Sequence, residues 1–190
     1  MIYYTADLHL GHSRVIEMDN RPFADVDEMD KALIGLWNER VTPEDDVYIV
    51  GDFAYRNSKT AVWYLRRMKG RKHLVIGNHD RVTLRDQQAM ECFASADKMM
   101  LIPDNKRSVS LCHFPLAEWN GMYRGSYHVF AHVHGIWNDA HQFMSRNNHA
   151  LNAGCMLNGY HPVTLDELIE NNLRFRQKML ERQETEKRTM

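Results

Sequence analysis

Cysteine is scarce in this chain. Cys92, Cys112 and Cys155 make an odd count with no CxxC spacing, which argues against a disulfide framework or a cysteine-built zinc site and for a reducing compartment. Long apolar runs are missing: nothing approaches the ~20 residues that span a bilayer. The opening MIYYTADLHL lacks the basic segment and apolar stretch of a signal peptide, so a cytoplasmic protein without membrane contact is expected. An excess of one charge is missing too. A net charge of -1 over 190 residues leaves no whole-protein basic surface for nucleic acid or anionic lipid. Repeats and low-complexity linkers are lacking, so a single domain is expected over residues 1–180, with the charged tail 181–190 expected to fray.

Histidine is what the chain has in plenty. Its eleven histidines fall mostly from residue 73 onward, often beside Asp or Asn. The background is a set of short apolar runs alternating with amphipathic stretches. Residues 1–5, 46–50 and 72–76 read as strands. Residues 25–41 read as a helix, with Val26, Met29, Leu33, Leu36 and Trp37 on one face. A second helix is expected over 58–70, with Ser58 as its cap and Gly70 as its stop, and a weaker one near 83–93. Strands follow near 97–102, 108–112, 127–131 and 149–154. A last helix starts after Pro162, where Thr164 and Glu167 have capping-box spacing. This alternation predicts an α/β fold whose first three strands are parallel. The strand-rich second half predicts a second sheet or antiparallel additions.

The strands share a habit: each runs into polar groups at its tip. The first leads to Asp7 and His9, the second to Asp52, and the third to Asn78, His79 and Asp80. The strand near 108–112 leads to His113, and that near 127–131 to His132 and His134. In open α/β sheets functional groups gather beyond the carboxyl ends of the strands. Imidazole with carboxylate suits divalent transition metals. In DLH and HVH the ligand types are two residues apart, so an extended segment would face both to one side. Asp7, His9, Asp52, Asn78, His113, His132 and His134 are too many for one ion that keeps positions open for substrate, whereas two ions sharing a carboxylate would use them all. Each motif alone has a bland reading as a polar loop or a satisfied core histidine. The ordered set resists it, because buried imidazoles and carboxylates left without partners cost roughly 1–3 kcal/mol each.

The order D-x-H, G-D, G-N-H-D, H, H-x-H resembles the calcineurin-like metallophosphoesterase superfamily, from Asp7 to about Leu168. The stretch LNAGCMLNGYHPVTLDEL is similar to the closing segment of small bacterial and phage members. Ala131 stands where the closing G-H-x-H motif of that family has glycine. The resemblance implies two packed mixed β-sheets flanked by helices. It implies two divalent metal ions, manganese first, with Fe, Zn, Ni or Mg as alternatives. Asp7, His9, Asp52 and His134 would hold one ion, and Asp52, Asn78, His113 and His132 the other. His79 matches the catalytic histidine, and Asp80 the carboxylate that orients it. The activity implied is phosphoester hydrolysis by a metal-bridging hydroxide, with protonated His79 assisting the leaving group.

His12, Arg14, Asn20 and Arg21 follow the first ligand pair and could contact substrate, since Arg binds phosphate in bidentate fashion. The bland alternative makes Asn20-Arg21-Pro22 a turn. Arg56 and Arg81 stand near Asp52 and Asp80, with surface exposure the default. His73, His128, His141, His149 and His161 have no motif context and read as surface or packing; Trp37 and Trp63 read as core. The short chain leaves little room for a capping domain, which favours a phosphodiester, or a small phosphomonoester, reached from solvent. A nucleotide is one such substrate. A nuclease acting on DNA or RNA and a non-catalytic scaffold on the same fold are the alternatives, and a homo-oligomer is compatible with all of them.

Overall fold

The computed structural model describes residues 1–55 and 59–188. Ser58 and Arg56 therefore lie outside the described residues. Two four-stranded sheets form the centre. In the first, β1 (Ile2–Thr5), β2 (Asp46–Ile49), β3 (Arg71–Val75) and β4 (Phe93–Asp97) pair in that order, all parallel. In the second, β5 (Met99–Asp104) runs antiparallel to β6 (Arg107–Cys112), while β6, β7 (Tyr127–Phe130) and β8 (Ala150–Asn152) are mutually parallel. So one sheet is wholly parallel and only the second is mixed. Isolated bridges join Ala6, just past β1, to Gly154, just past β8, and Tyr4 to Val163.

Strand alternation builds two cores at once. Tyr3, Val47, Ile49 and Leu74 face α2 (Val26–Arg40) and α3 (Ala61–Leu65), against Met29, Leu33, Trp37 and Val62. Tyr4, Val50 and Val75 point the other way and pack between the sheets on Val109, Leu111, Val129 and Leu151. This layer is closed by Leu165 and Leu168 of α7 (Leu165–Arg188). Full burial of each large apolar side chain is worth about 1.5–3 kcal/mol.

Several local expectations meet the structure differently. Thr60, accepting from the Trp63 N–H, caps α3, whose helical span is shorter than the expected 58–70. The helix expected near 83–93 is two short pieces, α4 (Arg81–Arg85) and α5 (Gln87–Met90), followed by β4. Its FASAD sequence has little strand propensity, and pairing with β3 imposes the strand. A short helix, α6 (Asp139–Met144), capped by Asn138, has no counterpart in the sequence reading, nor has α1 (Arg14–Met18). The charged tail continues α7 as far as Arg188, with Arg182–Glu186 spaced as a helical i,i+4 pair. The capping box is present: Glu167 accepts from the Thr164 N–H at 2.8 Å.

Candidate metal centre

Because β1–β3 are parallel to one another and β6–β8 likewise, each group delivers its tips to one edge. Past those edges the backbone turns left-handed at the ligand-type residues themselves: Asp7 (φ 52°), His9 (49°), Asp52 (55°), His132 (71°) and His134 (49°). Such φ values cost non-glycine residues energy and concentrate at functional sites. They also correct the expected geometry. DLH and HVH are not extended. In each, two left-handed residues flank one whose side chain, Leu8 or Val133, goes into a core. Hydrogen bonds hold the strain in place: Asp7, His9 and Leu10 donate to the carbonyls of Gly51, Asp52 and Phe53 at 3.0–3.1 Å. His132 is the apex of a three-residue turn closed by the Val133 N–H on the Ala131 carbonyl at 2.8 Å. Ala131 has no positive φ, so alanine serves where the family motif has glycine.

The side chains converge. Asp52 Oδ2 stands 3.6 Å from His9 Nε2 and 3.5 Å from His113 Nε2. His9 and His134 approach to 3.3 Å through their Nε2 atoms. Asn78 Oδ1 lies 3.0 Å from His113 Nε2 and 2.9 Å from His132 Nδ1. Ligand atoms of Asp7, His9 and His134 fall within 4.8 Å of one another, as do those of Asp7, Asp52 and His113. Two glycines permit this closeness. A Cβ on Gly77 would stand 2.3 Å from Asp52 Oδ1, and one on Gly51 2.2 Å from His113 Nδ1.

Electrostatics prepare these groups to bind a cation. Burial pushes the Asp7 carboxyl up to about 6, and its Oδ2 is buried without a hydrogen-bond partner. Burial, helped by nearby imidazoles and Arg21, pulls His9 down to about 2, which keeps its lone pair free. His113 Nδ1 lies 2.9 Å from the Val50 carbonyl, an acceptor only, so that nitrogen donates to it and Nε2 is the one that faces the centre. An unpaired buried carboxylate oxygen among imidazoles, an amide oxygen and a second carboxylate fits divalent transition-metal ions.

The structure redraws several of the other assignments. The Asp80 carboxylate accepts its hydrogen bonds from the backbone. It is fully buried and accepts from the N–H groups of Gly77 (2.8 Å), Asp52 (3.0 Å) and Phe53 (2.9 Å), so it fastens the two ligand loops together. Arg21 is buried as well. It donates to the carbonyls of Asp7 (2.8 Å) and Leu8 (3.0 Å) and pairs with Asp19 at 2.8 Å, so its donors are engaged within the protein. The bland reading of a turn was also incomplete, since this arginine props the first ligand loop from behind. Asn20 has φ 51° and closes the end of α1 by donating to the Glu17 carbonyl, a turn role. Arg14 and Arg81 are exposed. His12 stacks on Tyr55 with ring centroids 4.0 Å apart. His79 is exposed, with its ring 5.3 Å from that of His9 and its backbone N–H on Asp52 Oδ1 at 2.8 Å.

Two further residues escaped the sequence reading. Asp19 accepts from His134 Nδ1 at 2.7 Å. Burial works against its ionisation, but His134 and Arg21 outweigh it and hold the carboxyl below its ordinary range. Asn152, the last residue of β8, donates to the His134 carbonyl at 2.8 Å and is itself held by Asn172 of α7. The only signal in the sequence was a polar residue in an otherwise apolar stretch. Among the histidines without motif context, His128 and His141 are buried. His128 lies 3.1 Å from the Ser110 carbonyl and accepts from the Leu116 N–H, pinning the loop that follows His113.

Known proteins resemble this chain in sequence and in fold. The family model for calcineurin-like phosphoesterases matches residues 1–182. Protein MJ1445 of Methanocaldococcus jannaschii is 29% identical over 171 residues, 89% of each chain. The gene 66 protein of Mycobacterium phage D29 is 42% identical over 84 residues, 42% of this chain and 40% of that one. The fold is similar to that of protein AQ665 from Aquifex aeolicus, with a TM-score of 0.68 at 24% identity, covering 90% of this chain and 98% of that one. With the D-x-H, G-D, G-N-H-D, H and H-x-H side chains gathered at one edge of two packed sheets inside the matched span, the chain belongs to the calcineurin-like phosphoesterase family.

Proposed function

We propose that this chain is a two-metal hydrolase acting on phosphodiesters. The observation that carries the reading is the place of Asp52, whose Oδ2 lies about equally far from His9 Nε2 (3.6 Å) and His113 Nε2 (3.5 Å). Asp7, His9, His134 and Asp52 would hold one ion, and Asp52, Asn78, His113 and His132 the other. Two such ions, for which manganese suits the mixed carboxylate, amide and imidazole donors, supply Lewis acidity toward the phosphoryl oxygens and lower the pKa of bound water. The protein's part is placement and proton transfer. Asp52 also fixes the backbone of His79, and the exposed imidazole is left to donate a proton to the leaving-group oxygen. Asn78, His79 and His132 all face solvent, so both ester arms of a diester have room. This openness favours a diester over a monoester.

The test is a hydrolysis screen of the Mn-loaded protein against aryl phosphodiesters, aryl phosphomonoesters, cyclic nucleotides and short nucleic acids. Turnover of diesters above monoesters is expected. A monoester preference would remove the diester assignment, and no turnover of any ester would favour a scaffold on this fold.

A further inference from the structure

We propose that the two metal positions are unequal by construction. The ion among Asp7, His9 and His134 is held tightly, and Asp19 and Arg21 set that affinity. The ion beside Asn78 and His132 exchanges readily. This rests on the two-ion reading above.

The asymmetry is visible in what surrounds each donor set. On the tight side Asp7 and His9 are almost fully buried, and the His134 side chain is 14% exposed. Behind them lies a charged strut. Arg21, its side chain fully buried, grips the Asp7 and Leu8 carbonyls and thereby the loop that presents Asp7 and His9. The same guanidinium bonds Asp19 through Nε (3.0 Å) and Nη2 (2.8 Å). Both Asp19 oxygens in turn lie 2.7 and 2.9 Å from His134 Nδ1. A single network thus ties the loops after β1 and β7 and fixes two ring and carboxylate positions before any ion arrives. A carboxylate on the far nitrogen of a ligating imidazole makes it a stronger donor, and losing such a partner typically lowers metal affinity ~10- to 100-fold.

The other side lacks this support. Asn78 contributes a neutral amide oxygen where a carboxylate would bring charge, and it is exposed, as is His132. His113 is oriented by the uncharged Val50 carbonyl rather than by an acid. Fewer charges and more water around the donors give weaker binding of a divalent cation.

The experiment uses the full chain stripped of metal, titrated with Mn by calorimetry and weighed for Mn after gel filtration in metal-free buffer. The wild type should keep about one Mn per chain through the column and bind a second at least ~10-fold more weakly. Asp19→Asn should lose the retained ion, with its affinity down ~10- to 100-fold, while the weak phase persists. Asp19→Glu should recover part of the loss. Circular dichroism and melting of the metal-free variants monitor the fold. Should Asp19→Asn fail to fold, Asn78→Asp decides: a charged donor there should tighten the weak phase and narrow the gap. Equal affinities in the wild type would overturn the proposal, as would retention of the ion by Asp19→Asn or no change in the weak phase of Asn78→Asp. No Mn in either phase of the wild type would instead sink the two-ion reading beneath it.

Discussion

Asp7, Asp52, Asp80 and His113 are buried to 2% exposure or less, whereas Asn78, His79 and His132, which touch or adjoin them, face solvent. The floor and the rim of the site therefore do different work. Floor residues answer to the backbone: Asp80 to three N–H groups, His113 to the Val50 carbonyl, and Asp52 Oδ1 to the His79 N–H. Their chemistry cannot be changed without disturbing the loops that carry it. The rim is anchored from below and free above, so its side chains can meet a substrate and move protons. Substitutions in the floor should cost metal and stability together, and substitutions in the rim should separate activity from both.

The sharpest break is Asp52→Ala. Removing the carboxylate between the two histidine pairs should release both ions and abolish hydrolysis, with elemental analysis as the readout. Metal retained by that variant would contradict the bridge. Next in size, His79→Ala should keep its fold and both ions yet lose ~100- to 10,000-fold in kcat. The loss should be steepest for alkyl esters and mildest for nitrophenyl esters, whose leaving group departs as an anion. A kcat slope against leaving-group pKa that matches the wild type would remove His79 as the proton donor.

Asp80 sharpens the contrast, since it is next to His79 in sequence and belongs to the floor. Asp80→Ala leaves three buried N–H groups, of Gly77, Asp52 and Phe53, without their acceptor. It should lower unfolding free energy by at least about 3 kcal/mol, at roughly 1–3 kcal/mol per stranded donor, and should impair metal binding with it. A normal melting temperature with only slower turnover would place Asp80 back in the role of orienting His79.

The smallest effect is a pH dependence below the floor. Burial pulls His128 from 6.5 down to about 4. Between those values the unfolded chain binds the proton that the folded chain refuses. The contribution of His128 to stability is therefore intact above about pH 6.5, falls as pH drops toward 4 and levels off below, for a total of about 3 kcal/mol. Urea unfolding of the metal-free protein from pH 7 to 4.5 should show this slope. His9, pulled down further still, adds to the same slope, so His128→Gln should make it shallower without removing it, and an unchanged slope would acquit His128.

Much of this was legible in the order of residues. An apolar strand followed by Asp, His or Asn is a local pattern, repeated at Asp7, Asp52, Asn78, His113 and His132, and parallel strands gather their tips whatever the details. The face of α2 and the capping box of α7 were equally local, resting on helical spacing and one side chain three residues from its partner. Where propensity was silent, as in FASAD, pairing across the sheet decided the outcome.

Sequence by itself determined which chemistry could assemble here, because ligand types and strand periodicity are properties of neighbours along the chain. Tertiary structure alone decided the division of labour within it. From the sequence Arg21 looks like a group for a substrate, and Asp80 like the carboxylate that orients His79. They became supports because loops brought together from β1, β2, β3 and β7 leave buried carbonyls, N–H groups and an imidazole nitrogen that need charged partners. Such needs exist only once distant segments meet, and no spacing along the chain records them.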